Sequence, residues 1–215
     1  MGGSIALRRG EVDQAMEIVT RALKLMEKTP VGEVAEFIIH GIYVEAAWRN
    51  GDHAAALKQA EELLNRSAKM QVVDYSVYVG FMHFMEVIFM ALEQAYEQDH
   101  PQSEKDELMT QAQLAVKIMK SYARVFTVGE PVVYRYTGWI EWYSGKKEKA
   151  LQAWRTAAEK AHPIPMHFEE GLAYFVLAQH LPSEHPERIV SLEKAHEAFA
   201  GGSLDHWAGI VQKLK

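Results

Sequence analysis

Glutamate–histidine pairs at helical spacing are the residues of this sequence best suited to chemistry. The spacing Glu-x-x-His occurs three times, at Glu97/His100, Glu159/His162 and Glu193/His196. It places a carboxylate and an imidazole on one helix face, and di-iron bundles bind metal with two such pairs plus two further glutamates. Proline directly follows the first two pairs, at Pro101 and Pro163, so these pairs lie at helix ends and not inside a bundle. We therefore predict no metal and no cofactor.

The other residue types that support catalysis do not converge on a centre. The adjacent carboxylates of Glu61/Glu62 and Glu169/Glu170 point in different directions on a helix, so we interpret them as solvated charges. The sequence contains no cysteine, no Gly-x-Ser-x-Gly elbow, no phosphate loop and no dinucleotide fingerprint. The chain alone is therefore predicted not to be an enzyme, and the lack of cysteine fits a reducing cytoplasm.

Composition limits the classes of partner. The chain has 215 residues, 48% hydrophobic and 24% charged, with a formal net charge of −6, and its basic residues are dispersed, which argues against nucleic-acid binding. The apolar stretch 77–92 is shorter than the ~20 residues of a membrane span and includes His83 and Glu86, so it predicts a buried helix. Residues 1–4 are interpreted as a cloning remnant, and no signal peptide is visible.

The elements that carry these residues are amphipathic helices separated by glycine and proline. Apolar residues recur at steps of three and four, as in Val12, Met16, Val19 and Leu23. A glycine precedes an alanine by five residues at Gly10/Ala15, Gly51/Ala56 and Gly145/Ala150. We predict that each glycine ends a helix in a left-handed turn and that each alanine begins the buried face of the next helix.

The spacing of helices and of the glycines and prolines between them predicts an all-α fold. We expect an α-solenoid of about five helical hairpins and a C-terminal capping helix, forming a single domain from 5 to 215. The first hairpin has a truncated first helix. The hairpins are expected at 5–28, 34–68, 73–124, 132–162 and 167–200, with the cap at 203–214.

The fourth hairpin resembles the tetratricopeptide (TPR) repeat, because Gly138, Gly145, Ala150, Ala157 and Pro163 match its consensus spacing, with Trp154 at the large aromatic position. The amino-acid sequence from Tyr136 to Phe199 also resembles the C-terminal repeat region of bacterial adenylate/guanylate cyclases and related signalling ATPases. Matching phrases are Gly138-Trp-Ile-Glu-Trp-Tyr-Ser-Gly145, Lys149-Ala-Leu-Gln-Ala-Trp154 and Phe168-Glu-Glu-Gly-Leu-Ala173. This resemblance implies a non-catalytic, cytoplasmic scaffold or regulatory module within a larger signalling protein.

In TPR stacks the first helices of the hairpins line a concave groove that binds partners. The groove positions carried onto this sequence by the resemblance are Glu45, Trp48, Arg49, Arg135, Trp139 and Trp142. Trp and Arg are enriched at binding hot spots, so we expect a protein or peptide partner, or another domain of the parent chain. The alternative is a small-ligand sensor of a helical-repeat transcriptional activator, with its ligand among the aromatic residues of 134–143. A homodimer through the truncated first hairpin is a further expectation, and no membrane partner is expected.

Overall fold

The computed structural model describes residues 2–70 and 74–214. These described residues form eleven α-helices and one short 3-10 turn, with no strand among them, which confirms the all-α prediction. The helices are α1 (Gly2–Arg8), α2 (Val12–Met26), α3 (Glu33–Arg49), α4 (His53–Ser67), α5 (Val77–Glu97), α6 (Gln102–Ala123), α7 (Glu130–Tyr143), α8 (Lys147–Ala161), α9 (His167–His180), α10 (Pro186–Gly201) and α11 (Asp205–Gln212). Within the described part of the chain, no helix combines the length and apolarity that a membrane crossing requires.

Backbone contacts divide the chain into two compact units, residues 1–122 and residues 123–215. Unit 1 contains α1 to α6, and unit 2 contains α7 to α11. Each unit is a short stack of helical hairpins of the predicted kind, and the expectation of one continuous domain stays a prediction.

The predicted glycine turns are present at three helix ends. Gly10, Gly51 and Gly145 have φ of +76°, +94° and +77°, a conformation in which glycine alone carries no steric penalty. In each turn the next residue donates its N–H to a carbonyl five residues back, for example Lys146 to Glu141 at 2.9 Å, which is the Schellman arrangement. The alanines that follow, Ala15, Ala56 and Ala150, are fully buried, so the glycine-to-alanine prediction is confirmed.

Close helix approach depends on further glycines inside the first helix of a hairpin. A Cβ on Gly138 would lie 2.2 Å from Nε1 of Trp154, and one on Gly171 would lie 2.5 Å from the Phe199 ring. The large aromatic of α8 or α10 therefore packs directly on bare backbone of α7 or α9. In unit 1, α3 and α5 cross backbone to backbone, because a Cβ on Gly41 would lie 2.6 Å from the carbonyl oxygen of Gly80.

The ends of the predicted hairpins need small corrections. The first helix begins at Gly2 and not at residue 5, and Ser4 is buried within it, so residues assigned to a cloning remnant take part in packing; their origin is untested. The predicted start of the third hairpin, Val73, lies outside the described residues. The C-terminal cap is confirmed, since α11 buries Ala208 and Val211 and stacks Trp207 on Phe199 with ring centroids 5.7 Å apart.

Candidate functional site

Two of the three predicted groove residues of unit 1, Glu45 and Arg49, belong to a mostly buried polar cluster. The Glu45 carboxylate is only 5% exposed; one oxygen lies 2.5 Å from Nδ1 of His83 and the other 2.6 Å from Nη2 of Arg49. Burial alone would raise the pKa of Glu45, but the neighbouring Arg49 and His83 outweigh it and lower that pKa to about 2. Nε2 of His83 lies 2.7 Å from Oγ of Ser4, so the cluster joins α1, α3 and α5.

The order Ser4–His83–Glu45 is also that of a hydrolytic triad. All three side chains are buried, which closes the Ser4 hydroxyl to a substrate carbonyl. The second carboxylate oxygen of Glu45 is held by Arg49. The positive charge of Arg49 therefore offsets the negative charge of the carboxylate beside the His83 ring. We therefore interpret the cluster as a polar contact between consecutive hairpins. Sequence reasoning missed it because Ser4, Glu45 and His83 are far apart in the chain.

In unit 2, the predicted groove residue Arg135 is also interior. It is 2% exposed and pairs with the equally buried Glu169, with Nε 3.2 Å from Oε2. Its backbone carbonyl accepts a hydrogen bond from Nε1 of Trp154 at 3.0 Å. The interpretation of Glu169 as a solvated charge is therefore wrong. A buried charge needs a partner of opposite sign, and α9 supplies it to α7.

The predicted aromatic groove is largely filled by its own rings. Trp139 is 6% exposed and lies edge-on to Trp154 and His180, with centroids 5.6 and 5.0 Å away. Trp142 is half-buried, 4.4 Å from the His180 ring, with the Lys147 ammonium 4.8 Å over its face. In unit 1, Trp48 is 8% exposed and stacks on His53 at 4.3 Å. Of the six predicted residues, Trp142 and Arg49 are half-buried and the other four are buried.

The three Glu-x-x-His pairs lie at separate places. His100 pairs with Glu104 at 2.8 Å, and His162 pairs with Glu170 at 2.8 Å; neither contact is with the glutamate of the motif. Across residues 2–70 and 74–214, no group of three or more potential ligands is arranged to hold a metal ion.

One carboxyl group on α5 has an unusual acidity. Burial, and then the charges of Glu97 and Glu86, raise the pKa of Glu93 to about 7. The carboxyl is therefore partly neutral at physiological pH, where an ordinary glutamate is fully ionised.

A surface cleft in unit 2 contains both residues of one Glu-x-x-His pair, Glu159 and His162. It has a volume of about 600 Å³ and lies between α8, α9 and α10; we call it the α8–α10 cleft. Its lining residues are Glu159, His162, His167, Glu170, Tyr174, Lys194, Glu197 and Ala198. The sequence placed Glu159 and His162 together, but nothing in the spacing showed that α9 and α10 would add further carboxylates.

The floor of the α8–α10 cleft is well fixed. Glu170 has a side chain only 12% exposed and held by His162. Tyr174 packs against the buried residues Ala157 and Ala158 of α8. The Lys194 ammonium lies 5.1 Å over the Tyr174 ring, a cation–π contact. Rim and floor therefore combine carboxylates, an aromatic face and one cation that the chain itself supplies.

Unit 1 has a smaller cleft of related composition, about 330 Å³ between α4 and α6. Its charged residues are Lys58, Glu61, Glu104 and Glu107, and Glu61 accepts a hydrogen bond from Gln111 within it. Each unit thus carries an acidic cleft between the second helices of successive hairpins.

No protein-family model and no curated protein matches this sequence. Among solved structures, two kinesin light chain structures from Podosopora anserina with nearly identical TPR-like repeats are similar. The match to the first structure has 15% sequence identity and a TM-score of 0.45, and it covers 99% of this chain and 89% of that chain. The second structure is a point variant; its match has 16% sequence identity and a TM-score of 0.47, and it covers 100% of this chain and 96% of that chain.

Proposed function

We propose that this chain is a protein-interaction module without catalytic activity, and that it holds a segment of a partner protein in the α8–α10 cleft. The observation that supports the proposal is the cleft itself, whose volume of about 600 Å³ falls within the range of about 300–1,000 Å³ of small-molecule pockets and leaves room for side chains of a partner segment. Gly171 of α9 packs directly against the Phe199 ring of α10, so two of the helices that form the walls of the cleft are held closely together. A preformed site lowers the entropy lost on binding.

The lining of the α8–α10 cleft includes none of the six predicted groove residues. Four of the six groove residues, Glu45, Trp48, Arg135 and Trp139, are buried by the chain's own side chains. Among the six, we propose a role in partner contact for Arg49 and Trp142, which are half-buried.

Selection from a random twelve-residue peptide library displayed on phage tests the proposed function. The immobilised protein is expected to enrich a family of related sequences, whose synthetic peptides then bind the protein in solution. A diverse library that yields no enriched family after repeated rounds would contradict the proposal.

The wider context follows from the resemblance to cyclase and ATPase repeat regions. We propose that the module belongs to a larger cytoplasmic signalling protein of that type, supported by the phrases around Gly138, Trp154 and Gly171. The same reading frame in the source genome is then expected to encode a cyclase or ATPase domain. A frame that encodes neither would contradict this part of the proposal.

Self-association through the first hairpin is supported by exposed apolar residues. Ile5 and Leu25 are 52% and 57% exposed, and Ile18 is 36% exposed, and exposed apolar surface of this kind favours pairing. Light scattering is expected to show a dimer that Leu25→Lys shifts toward monomer. The matched change Val190→Lys, at an exposed position of α10, is expected to have no effect. A wild-type chain that is monomeric at high concentration would exclude the dimer.

A further inference from the structure

The charged side chains that line the α8–α10 cleft are mostly negative. Three carboxylates come from three different helices: Glu159 from α8, Glu170 from α9 and Glu197 from α10. Among the described lining residues, the single fully basic side chain is Lys194. With neutral histidines this lining carries a net charge of −2, from three negative groups and one positive group. A cationic group is therefore the electrostatic complement of this cleft.

Lys194 supplies an independent observation about what the cleft accepts. Its ammonium lies over the Tyr174 ring in the same cleft that the three carboxylates line. An aromatic face beside carboxylates is a favourable environment for an ammonium or a guanidinium. The chain thus places one of its own cations where the chemistry favours a cation. A volume of about 600 Å³ exceeds what one lysine side chain fills.

We infer that the α8–α10 cleft recognises a lysine or arginine side chain within a partner segment, and that Lys194 is an intramolecular competitor for the same position. The inference rests on the proposed function and adds the chemistry of the ligand. Glu170 provides the buried contact, because its side chain is fixed by His162 and largely covered. Glu197 and Glu159 are exposed and form the rim that attracts the cation. Neutralising Lys194 strengthens binding, and neutralising either Glu170 or Glu197 weakens it.

Fluorescence polarisation with a fluorescein-labelled hexalysine peptide tests this inference. Glu170→Gln and Glu197→Gln are each expected to weaken binding by about 2- to 5-fold, and Lys194→Met to strengthen it by about the same factor, as for single partly exposed charge pairs. Non-specific attraction to an acidic protein is measured by matched changes outside the cleft. These are Glu193→Gln on α10 and Lys149→Met on α8, both at exposed positions. Circular dichroism checks that every variant is folded.

The outcomes separate this inference from the proposed function. Equal effects of the cleft variants and their matched controls would overturn the inference, because the peptide would then respond only to net charge. If phage selection enriches peptides without lysine or arginine, the inference fails while the proposed function stands. If spermidine displaces the hexalysine peptide as strongly as unlabelled hexalysine does at equal charge, a free polyamine and not a protein segment is the ligand, and the inference is overturned.

Discussion

The substitution Gly138→Ala tests the contact between Gly138 of α7 and Trp154 of α8, on which the packing of unit 2 depends. The added Cβ would lie 2.2 Å from Nε1 and 2.5 Å from Cδ1 of Trp154, whereas heavy atoms pack at about 3.5–4.0 Å. The ring must therefore move by more than an ångström. It is completely buried, and its Nε1 donates to the Arg135 carbonyl at 3.0 Å, so movement also breaks a buried hydrogen bond.

These effects set the expected size of the change. Overpacking a core costs about 1–3 kcal/mol, and a buried donor left without its acceptor costs about 1–3 kcal/mol more. Because alanine has a higher helix propensity than glycine, the substitution also stabilises the helix by about 1 kcal/mol. We expect Gly138→Ala to lower the free energy of unfolding of unit 2 by roughly 3 kcal/mol.

Urea denaturation followed by far-ultraviolet circular dichroism measures this change. The matched control is Gly209→Ala, in the helix α11, where a Cβ meets no atom within 4 Å; there we expect a gain of about 0.5–1 kcal/mol. If Gly138→Ala is as stable as the wild type while Gly209→Ala behaves as expected, the register of α7 on α8 is wrong.

Four further predictions follow from single residues. Ala157 on α8 is 1% exposed, so Ala157→Glu places an unpaired charge in the core. Thermal denaturation should show a decrease of about 3–5 kcal/mol in the free energy of unfolding; unchanged stability would contradict the burial of this face of α8. Because burial raises the folded pKa of Glu93 from 4.5 to about 7, the contribution of Glu93 to stability falls as pH rises from about 4.5 through 7. Glu93→Gln should therefore stabilise the protein by about 1–3 kcal/mol at about pH 8 and have little effect at about pH 4; equal effects at both values would refute the burial of this carboxyl. Ser203 has φ of +56°, a conformation that costs a non-glycine residue about 1–2 kcal/mol, so Ser203→Gly should raise the melting temperature slightly and a decrease would count against this helix end. A fluorophosphonate probe should not label Ser4, whose hydroxyl is buried with His83; labelling lost in Ser4→Ala would overturn the non-catalytic proposal.

The hairpin fold could be predicted from local signals. Gly10, Gly51 and Gly145 indicated the helix ends because a left-handed residue at a C-terminus has a strong local preference. Apolar steps of three and four indicated which face each helix buries. The exact first residues of α1 and α5 could not be obtained this way, since helix starts depend on tertiary contacts as well as on sequence.

The candidate site was harder to predict, because side chains far apart in the sequence form it. Nothing near Glu169 shows that Arg135 of another helix pairs with it, so its charge suggested solvent exposure. The tryptophans at 139 and 142 matched groove positions by resemblance, but His180 of α9 packs on both rings. The α8–α10 cleft depends on how three helices meet, which periodicity along one helix does not specify.

Photo-crosslinking of a selected peptide tests the central proposal most directly. Replacing His162, an exposed residue of the α8–α10 cleft, with p-benzoylphenylalanine places the reactive group at the proposed site. The same replacement at Gln152, exposed on α8 and outside the cleft lining, is the control. We expect a covalent adduct with the peptide from position 162 and none from position 152. An adduct from position 152 alone, or from neither position with a peptide that binds, would contradict it.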